Sequence, residues 1–320
     1  MKIINNNKSN LVKIKKVAIL LCTYQGEEFL ADQLDSISGQ THNNWHVYVS
    51  DDGSDDATSA ILRDYQQKWS AQRLTICEGP KKGFAENFLS LVCNTQIDAE
   101  YFAYSDQDDI WEPGKLTRAI ELLQKNNNNL FPALYCSRTI LINAKNEVIG
   151  FSPLFKEPPS FVNALTQNIG GGNTMVFNAS ARRLLMQAGS DLSIVSHDWW
   201  TYLVVSGCGG NVYYDSLPLL RYRQHTGNLV GTNISWSGRL NRVMMLFQGV
   251  FRKWNDKNIK ALNSIKNVLT DNNKEILHNF ENARSMWLLP RLYYLRKCGI
   301  YRQTIFGNLG LVLAAVFNKI

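Results

Sequence analysis

Apolar positions follow two rhythms along the first third of the chain. "VAILLC" (17–22), "HVYVS" (46–50), "RLTIC" (73–77) and "YFAYS" (101–105) are short apolar runs that stop at polar residues. That is the pattern of strands in a buried sheet. Between them Phe29, Leu30, Leu34 and Ile37 recur at helical intervals and stop at Gly39. Ile61, Leu62 and Tyr65 mark a second helix, and Phe84, Phe88, Leu91 and Val92 a third. Strand and helix alternating in this way predict a parallel, doubly wound α/β sheet. Such sheets bind ligands at the carboxyl ends of their strands.

Beyond residue 130 the rhythm changes. "ALYCSRTILINAKNEVIG" predicts strand, turn, strand, followed by a Pro-containing loop at 153–159. "IGGGNTMVFN" (169–178) joins a flexible glycine run to a strand, "SHDWWTYLVVSG" (196–207) predicts a helix, and "NVYYDSLPLLRYRQH" returns as extended chain. From 236 onward the sequence is helical in pattern, basic, and rich in Leu, Trp and Tyr. There is no internal repeat.

A 320-residue chain with 45% hydrophobic and 19% charged residues is globular and large enough for a substantial core. Disorder is expected only at "NNNKSN" near the start and at "KNNNNL" (125–130). The six cysteines show no CxxC spacing, and Cys22, Cys77 and Cys136 lie in apolar runs. Reduced thiols in a cytoplasmic protein are therefore expected, rather than disulfides or a zinc site. No signal-peptide pattern and no apolar run of the roughly 18 residues that suggest a membrane span is present. The net charge of +7 is unevenly spread: residues 236–320 hold 14 Lys/Arg against 4 Asp/Glu, so the remainder is slightly acidic. Two segments with different partners are expected.

The acids concentrate where strands end. "YFAYSDQDDIWEPGKL" (101–116) places Asp106, Asp108, Asp109 and Glu112 directly behind an apolar run. Clustered carboxylates are costly unless a cation neutralises them. Asp106 and Asp108 at i, i+2 can aim at one small space, and their hard oxygens suit Mg²⁺ or Mn²⁺. The alternative is that Asp108 and Asp109 cap a helix beginning near Pro113. In "VSDDGSDDAT" (49–58) Gly53 permits a tight turn, and Asp55 or Asp56 can cap the next helix, which leaves Asp51 and Asp52 unexplained. A carboxylate there can accept hydrogen bonds from a nucleobase imide or a ribose hydroxyl, and Thr23 after the first strand can add a hydroxyl contact. Three clusters, each behind its own strand, should meet in one crevice.

"CTYQGEEFLADQLDSISGQT", "VSDDGSDDAT" and "YSDQDDIW", in this order, resemble the three opening motifs of family 2 glycosyltransferases, over roughly residues 16–230. "GFAENF" (83–88), "SHDWW" (196–200) and "YRQHTGN" (222–228) further resemble bacterial rhamnosyltransferases. The resemblance implies a GT-A, Rossmann-like α/β fold: a mostly parallel central sheet flanked by helices, with a C-terminal helical extension. With the polar start and the basic tail read above, the expected division is a flexible N-terminus (1–15), a catalytic domain (16–235) and a basic helical extension (236–320). Within the catalytic domain, a nucleotide-sugar half covers about 16–130 and an acceptor half about 131–235.

The resemblance places Thr23, with Tyr24 beside it, and Asp52 at the nucleoside, with Asp51 as helper. Asp106 and Asp108 match the DxD pair that holds a divalent ion and the donor diphosphate. Asp108 is the direct ligand, while Asp106 acts directly or through ribose or water. Asp198 matches the catalytic base of inverting members, with His197 standing where common members have Glu. His197 either tunes Asp198 or merely flanks it. Inverting transfer needs such a base on the acceptor hydroxyl and a cation on the leaving diphosphate. Trp199 and Trp200 are core residues or sugar platforms. His225 is a candidate third ligand or diphosphate contact, and Arg223 a candidate partner of the leaving phosphates.

The tail has two readings. Trp254, Leu262, Ile265, Val268 and Leu269 recur at helical spacing among Lys257, Lys260 and Lys266, and "TIFGNLGLVLAAVF" (304–317) is apolar but short. Such a basic amphipathic segment can lie on anionic lipid or pack on the catalytic domain with its lysines solvated. No nucleic-acid motif accompanies the charge. The expected protein is a metal-dependent inverting glycosyltransferase, moving L-rhamnose from dTDP-L-rhamnose onto a lipid-linked or cell-surface glycan. Its expected place is the cytoplasm, peripherally on the inner face of the cell membrane. Rival readings are a UDP-dependent galactosyl- or glucosyltransferase and a non-catalytic nucleotide-binding or receiver-like module.

Overall fold

A computed structural model describes residues 14–69, 72–125, 130–225 and 244–320. Its centre is a seven-stranded sheet. Strands β1 (Val17–Thr23), β2 (Trp45–Asp51), β3 (Leu74–Glu78) and β4 (Tyr101–Ser105) are the four apolar runs, separated by α1 (Leu30–Ser38), α2 (Thr58–Trp69) and α3 (Phe84–Cys93). The strand order is β10-β6-β9-β4-β1-β2-β3, where β6 is Ala133–Ser137, β9 Val176–Asn178 and β10 Asn211–Asp215. All neighbours are parallel except β9, which runs antiparallel to both β4 and β6. β1 is buried on both faces because helices cover both, which is why its sequence is a continuous apolar run rather than an alternating one.

Alternate residues of β1 serve two cores. Val17, Ile19 and Leu21 join Leu34, Leu62 and Leu116 on one face; Ala18, Leu20 and Cys22 join Phe88, Trp200 and Leu262 on the other. The second core extends to Leu277 and Phe280, so the C-terminal helices α8 (Val250–Ser264) and α9 (Asp271–Ser285) pack on the main-sheet body. Leu262, Ile265 and Leu269 are buried while Lys257, Lys260 and Lys266 are exposed. For this stretch the packing reading of the tail holds.

The segment after residue 130 departs from the simple strand–turn–strand expectation. After β6 the chain leaves the main sheet at Arg138–Thr139 and enters a second, four-stranded sheet of order β5-β11-β7-β8. It comprises β5 (Ile110–Trp111), β7 (Ile140–Asn143), β8 (Val148–Phe151) and β11 (Leu220–Gln224). β5 follows the acid cluster and pairs antiparallel with β11, Ile110 opposite Arg221. That register carries Arg223 and His225 back to Asp108. Helices α4 (Lys115–Lys125), α5 (Phe161–Ala164), α6 (Ala179–Ala188), α7 (His197–Gly207), α10 (Leu288–Lys297) and α11 (Ile305–Val316) complete the described fold. No described helix is long and apolar enough to cross a membrane. The boundary expected at 235–236 and the segments 1–13 and 226–228 lie outside the described residues.

Candidate active site

The ends of β1 and β2 lie side by side, Thr23 opposite Asp51. The Thr23 hydroxyl donates to Asp51 (2.9 Å), which also accepts from the backbone N–H (3.1 Å) and hydroxyl (2.5 Å) of Ser54. Asp51 thus closes the turn that Gly53 makes at φ +97°. Asp52 faces the other way and accepts from the backbone N–H groups of Lys81 (2.6 Å) and Gly83 (2.9 Å) in the loop between β3 and α3. Tyr24 is exposed, and its backbone is clamped by Gln107: Tyr24 N–H donates to Oε1 (2.8 Å) and Nε2 donates to the Tyr24 carbonyl (2.9 Å). Gln107, between the two acids of the DxD match, therefore ties the first motif to the third.

The acid clusters converge on Cys22. Burial raises its thiol well above the usual range, and the charges of Asp106 and then Asp52 add to the rise. Burial also pushes the Asp106 carboxyl up to about 8, with the like charges of Asp108 and Asp198 adding to it and Lys115 opposing it. Asp108 lies 2.8 Å from His225 Nε2 through its Oδ2. Asp109 does not cap a helix. It is buried, accepting from Asn173 Nδ2 (2.6 Å) and the Arg223 N–H (3.2 Å), and burial together with Asp108 and Asp106 holds its carboxyl well above the usual range.

Two expected roles change. Arg223 is only 1% exposed. Its guanidinium donates to the Asp108 carbonyl (2.9 Å), the Ala144 carbonyl (2.8 Å) and Asp32 Oδ2 (2.9 Å), and lies over the Phe29 ring. It braces the acid loop from behind instead of facing a phosphate. Trp199 and Trp200 are buried, and Trp199 Nε1 donates to the Ala164 carbonyl (2.7 Å), so they are core and not sugar platforms.

Asp198 sits in the first turn of α7, half-buried, at the positive end of the helix dipole. Its Oδ2 accepts from the Gly172 N–H (3.1 Å) and its Oδ1 from the Trp199 N–H (2.7 Å). His197 is buried and stacks on Phe88 at 3.8 Å between ring centroids, edge-on to Tyr104. Neither ring nitrogen has a hydrogen-bond partner, and burial holds the ring down at about 4, with the Asp198 charge opposing. A Cβ on Gly172 would stand 2.2 Å from His197 Nε2, so glycine lets the loop close over the ring and present its N–H to Asp198.

Lys115 escaped the sequence reading. It is buried, its Nζ has no hydrogen-bond partner, and it lies 3.6 Å from the centroid of Trp111. Burial lowers it to about 7 while Asp109 and Asp106 pull it back up. The signal was present, since Lys115 precedes Ala119 and Leu123 on the buried stripe of α4 at i, i+4 and i+8. A lysine on an apolar stripe needs a reason. Among the described residues, no group of three or more His, Cys, Asp or Glu is arranged to hold a metal alone. Asp108 and His225 bond each other at 2.8 Å, and their hard oxygen and imidazole nitrogen are two of the donors that Mg²⁺ or Mn²⁺ would take, with phosphate and water left to supply the rest.

A dTDP-rhamnosyl transferase, RfbG of Shigella flexneri, is 28% identical over 284 residues, covering 85% of this chain and 94% of that protein. A UDP-Glc:alpha-D-GlcNAc-diphosphoundecaprenol beta-1,3-glucosyltransferase, WfgD of Escherichia coli, is 28% identical over 49% of this chain and 57% of its own. The fold matches Staphylococcus aureus TarS 1-349 in complex with UDP-GlcNAc at TM-score 0.52 and 15% identity, covering 89% of this chain and 93% of that one. GalNAc-T7 with UDP, GalNAc and Mn²⁺ matches at TM-score 0.55 and 9% identity, over 91% and 55%. These neighbours share the GT-A architecture of the sheet described above. The model of glycosyl transferase family 2 matches residues 18–184, more than half of the sequence, and the chain belongs to that family.

Proposed function

We propose that this glycosyltransferase transfers L-rhamnose from dTDP-L-rhamnose to a hydroxyl of a lipid-linked or cell-surface glycan, with inversion at the anomeric carbon. The observation that carries this reading is the Gly172–Asn173 loop, which donates to Asp198 from the Gly172 N–H and to Asp109 from Asn173 Nδ2, and so joins the candidate base to the acid loop that carries Asp106 and Asp108. Likeness to a rhamnosyltransferase over most of the chain supports the choice of donor.

In this reading Thr23, Tyr24, Asp51 and Asp52 form the wall against which the nucleoside lies. Asp108 and His225, with Asp106, would hold Mg²⁺ or Mn²⁺, which would supply positive charge to the leaving diphosphate. Asp198 accepts the proton of the acceptor hydroxyl as its oxygen bonds to the anomeric carbon. The bond from that carbon to the donor phosphate oxygen breaks, and its electron pair leaves with the nucleoside diphosphate. One displacement inverts the centre. Gly172 N–H and Trp199 N–H fix the carboxylate in place, and His197 fills the space behind it as a neutral ring. A lipid-carried acceptor would bring the enzyme to the inner surface of the cell membrane as a peripheral protein.

The test is a panel of dTDP- and UDP-sugars incubated with the purified chain, with and without Mn²⁺, scoring nucleotide release and transfer to a synthetic acceptor. Metal-dependent turnover of dTDP-rhamnose with an inverted product supports the reading. Preference for a UDP-hexose overturns the donor, and a retained configuration overturns the mechanism.

A further inference from the structure

The last helix of the fold is built inside out. On α11 the small residues Ala314 and Ala315 face the protein, whereas large apolar residues face away from it. Ile305 is 79% exposed, Phe306 77% and Leu309 56%, and Val312, Leu313 and Phe317 continue the stripe at helical spacing. Next to it, α10 turns out Trp287 (66%) and Tyr293 (65%), with Leu289 between them. The two helices are joined by Arg291, whose Nη1 donates to the Ala315 carbonyl at 2.9 Å. Phe247 meets the far end of this stripe at Phe317, 5.5 Å between ring centroids, while Ile305, Leu309 and Val312 remain largely exposed. An exposed apolar surface of this extent marks an interaction site.

Charge says what the partner is. From Met286 to Ile320 the chain carries Arg291, Arg296, Lys297, Arg302 and Lys319 and not one Asp or Glu. Arg296 and Lys297 are exposed at the end of α10. A helix whose large apolar residues face outward, beside a neighbour that exposes Trp287, Tyr293, Arg296 and Lys297, has the chemistry of a surface lying in the headgroup region of an anionic bilayer. At 12 residues α11 is about 18 Å long, enough to lie in that region and too short to cross it.

We propose that α11 and the outward face of α10 dock this protein on anionic lipid, and that the docking fixes the acceptor half relative to the membrane. The proposal deepens the membrane contact inferred above and does not depend on the sugar transferred. The loop between the two helices is bolted to α5: the Tyr301 carbonyl accepts from Asn163 Nδ2 (3.0 Å) and Thr166 Oγ1 (2.9 Å), and Gln303 N–H donates to Gln167 (2.9 Å). Helix α5 in turn receives the Trp199 indole N–H at Ala164, one residue from Asp198. A bilayer held against α11 is thereby held in a fixed relation to the catalytic carboxylate, as a lipid-carried acceptor requires.

Vesicle co-sedimentation of the full chain tests this without any donor or acceptor. Vesicles of phosphatidylglycerol and phosphatidylethanolamine should capture the protein, and pure phosphatidylcholine should capture much less. The paired change Arg296→Glu and Lys297→Glu should weaken capture by on the order of tenfold or more. Phe306→Asp with Leu309→Asp should abolish capture, while both variants keep wild-type turnover of a water-soluble acceptor. Equal capture by neutral and anionic vesicles, or undiminished capture of the Phe306/Leu309 variant, overturns the proposal. So does a stable dimer by light scattering with no vesicle binding, which would give the face to a second copy. Because the readout is binding, its failure leaves the transfer reading standing, and failure of transfer leaves vesicle capture intact.

Discussion

The crevice at the strand ends and the outer face of α11 depart from ordinary burial in opposite directions. In the crevice Asp109, Lys115 and His197 are buried, and Lys115 Nζ and both His197 ring nitrogens lack hydrogen-bond partners. On α11, isoleucine, leucine and valine are largely exposed. Both departures cost stability in the isolated chain, one by desolvating ionisable groups and the other by leaving apolar area in water. On the readings proposed above, each has a ligand to account for it: a charged donor with its cation in the first case, lipid in the second. What separates them is how they are braced. Side chains of Arg223, Gln107 and Asn173 hold the crevice from within, whereas the face on α11 is held through Arg291 and the loop that follows α10.

The largest effect should come from breaking the crevice at its reactive oxygen. Asp198→Asn retains shape and should lower transfer by roughly 10²–10⁴-fold, the span of a general base, while donor affinity measured by titration calorimetry stays unchanged. Loss of donor affinity in this variant would place Asp198 in binding. Next comes Asp52→Asn, which should weaken binding of the free nucleoside diphosphate by roughly 10–100-fold, the worth of one charge-assisted hydrogen bond. Unaltered nucleotide affinity would leave Asp52 only its bonds to Lys81 and Gly83, a folding role.

A smaller effect lies in pH. The His197 ring is held at about 4 against an ordinary 6.5, so the folded protein resists the proton that the unfolded chain accepts. Its contribution is fully present above pH 6.5 and is lost as pH falls toward 4, by about 3 kcal/mol at most. Urea unfolding of wild type should therefore weaken across that window more than unfolding of His197→Gln does. Parallel pH profiles would mean that the ring titrates normally.

The alternating strands and helices of the nucleotide half were legible because strands covered on both faces read as continuous apolar runs. The acids were legible because nothing in a buried sheet needs them. Two things were hidden. β5 and β11 are short, and their pairing is set by residues more than 100 positions apart, so Arg223 read as a phosphate ligand instead of a brace. The second sheet was hidden for the same reason, since a two-residue bend at Arg138–Thr139 divides what reads as one strand. Lys115 and Gln107 left weaker traces, a cation on an apolar stripe and an amide between two carboxylates. On the tail, Leu262 and Leu309 follow similar helical spacing, and sequence alone does not say which stripe faces inward.

The smallest expected effect sharpens that last contrast. Leu262 is fully buried on α8 and Leu309 is 56% exposed on α11, so the same truncation to alanine tests burial against exposure within one segment. Leu262→Ala leaves a cavity in the core where α8 meets α7 and should cost about 2–5 kcal/mol. Leu309→Ala removes a side chain that makes little use of burial and should change stability by no more than about 0.5 kcal/mol in either direction. Denaturation in urea at several protein concentrations measures both, and adding anionic vesicles should reveal the difference that solvent hides. A loss above about 2 kcal/mol for Leu309→Ala in the absence of lipid would mean that the face is already covered, by a second copy if the loss grows with protein concentration. The apolar surface of α11 would then belong to assembly, and of the two regions only the crevice would depart from ordinary burial for the sake of a ligand.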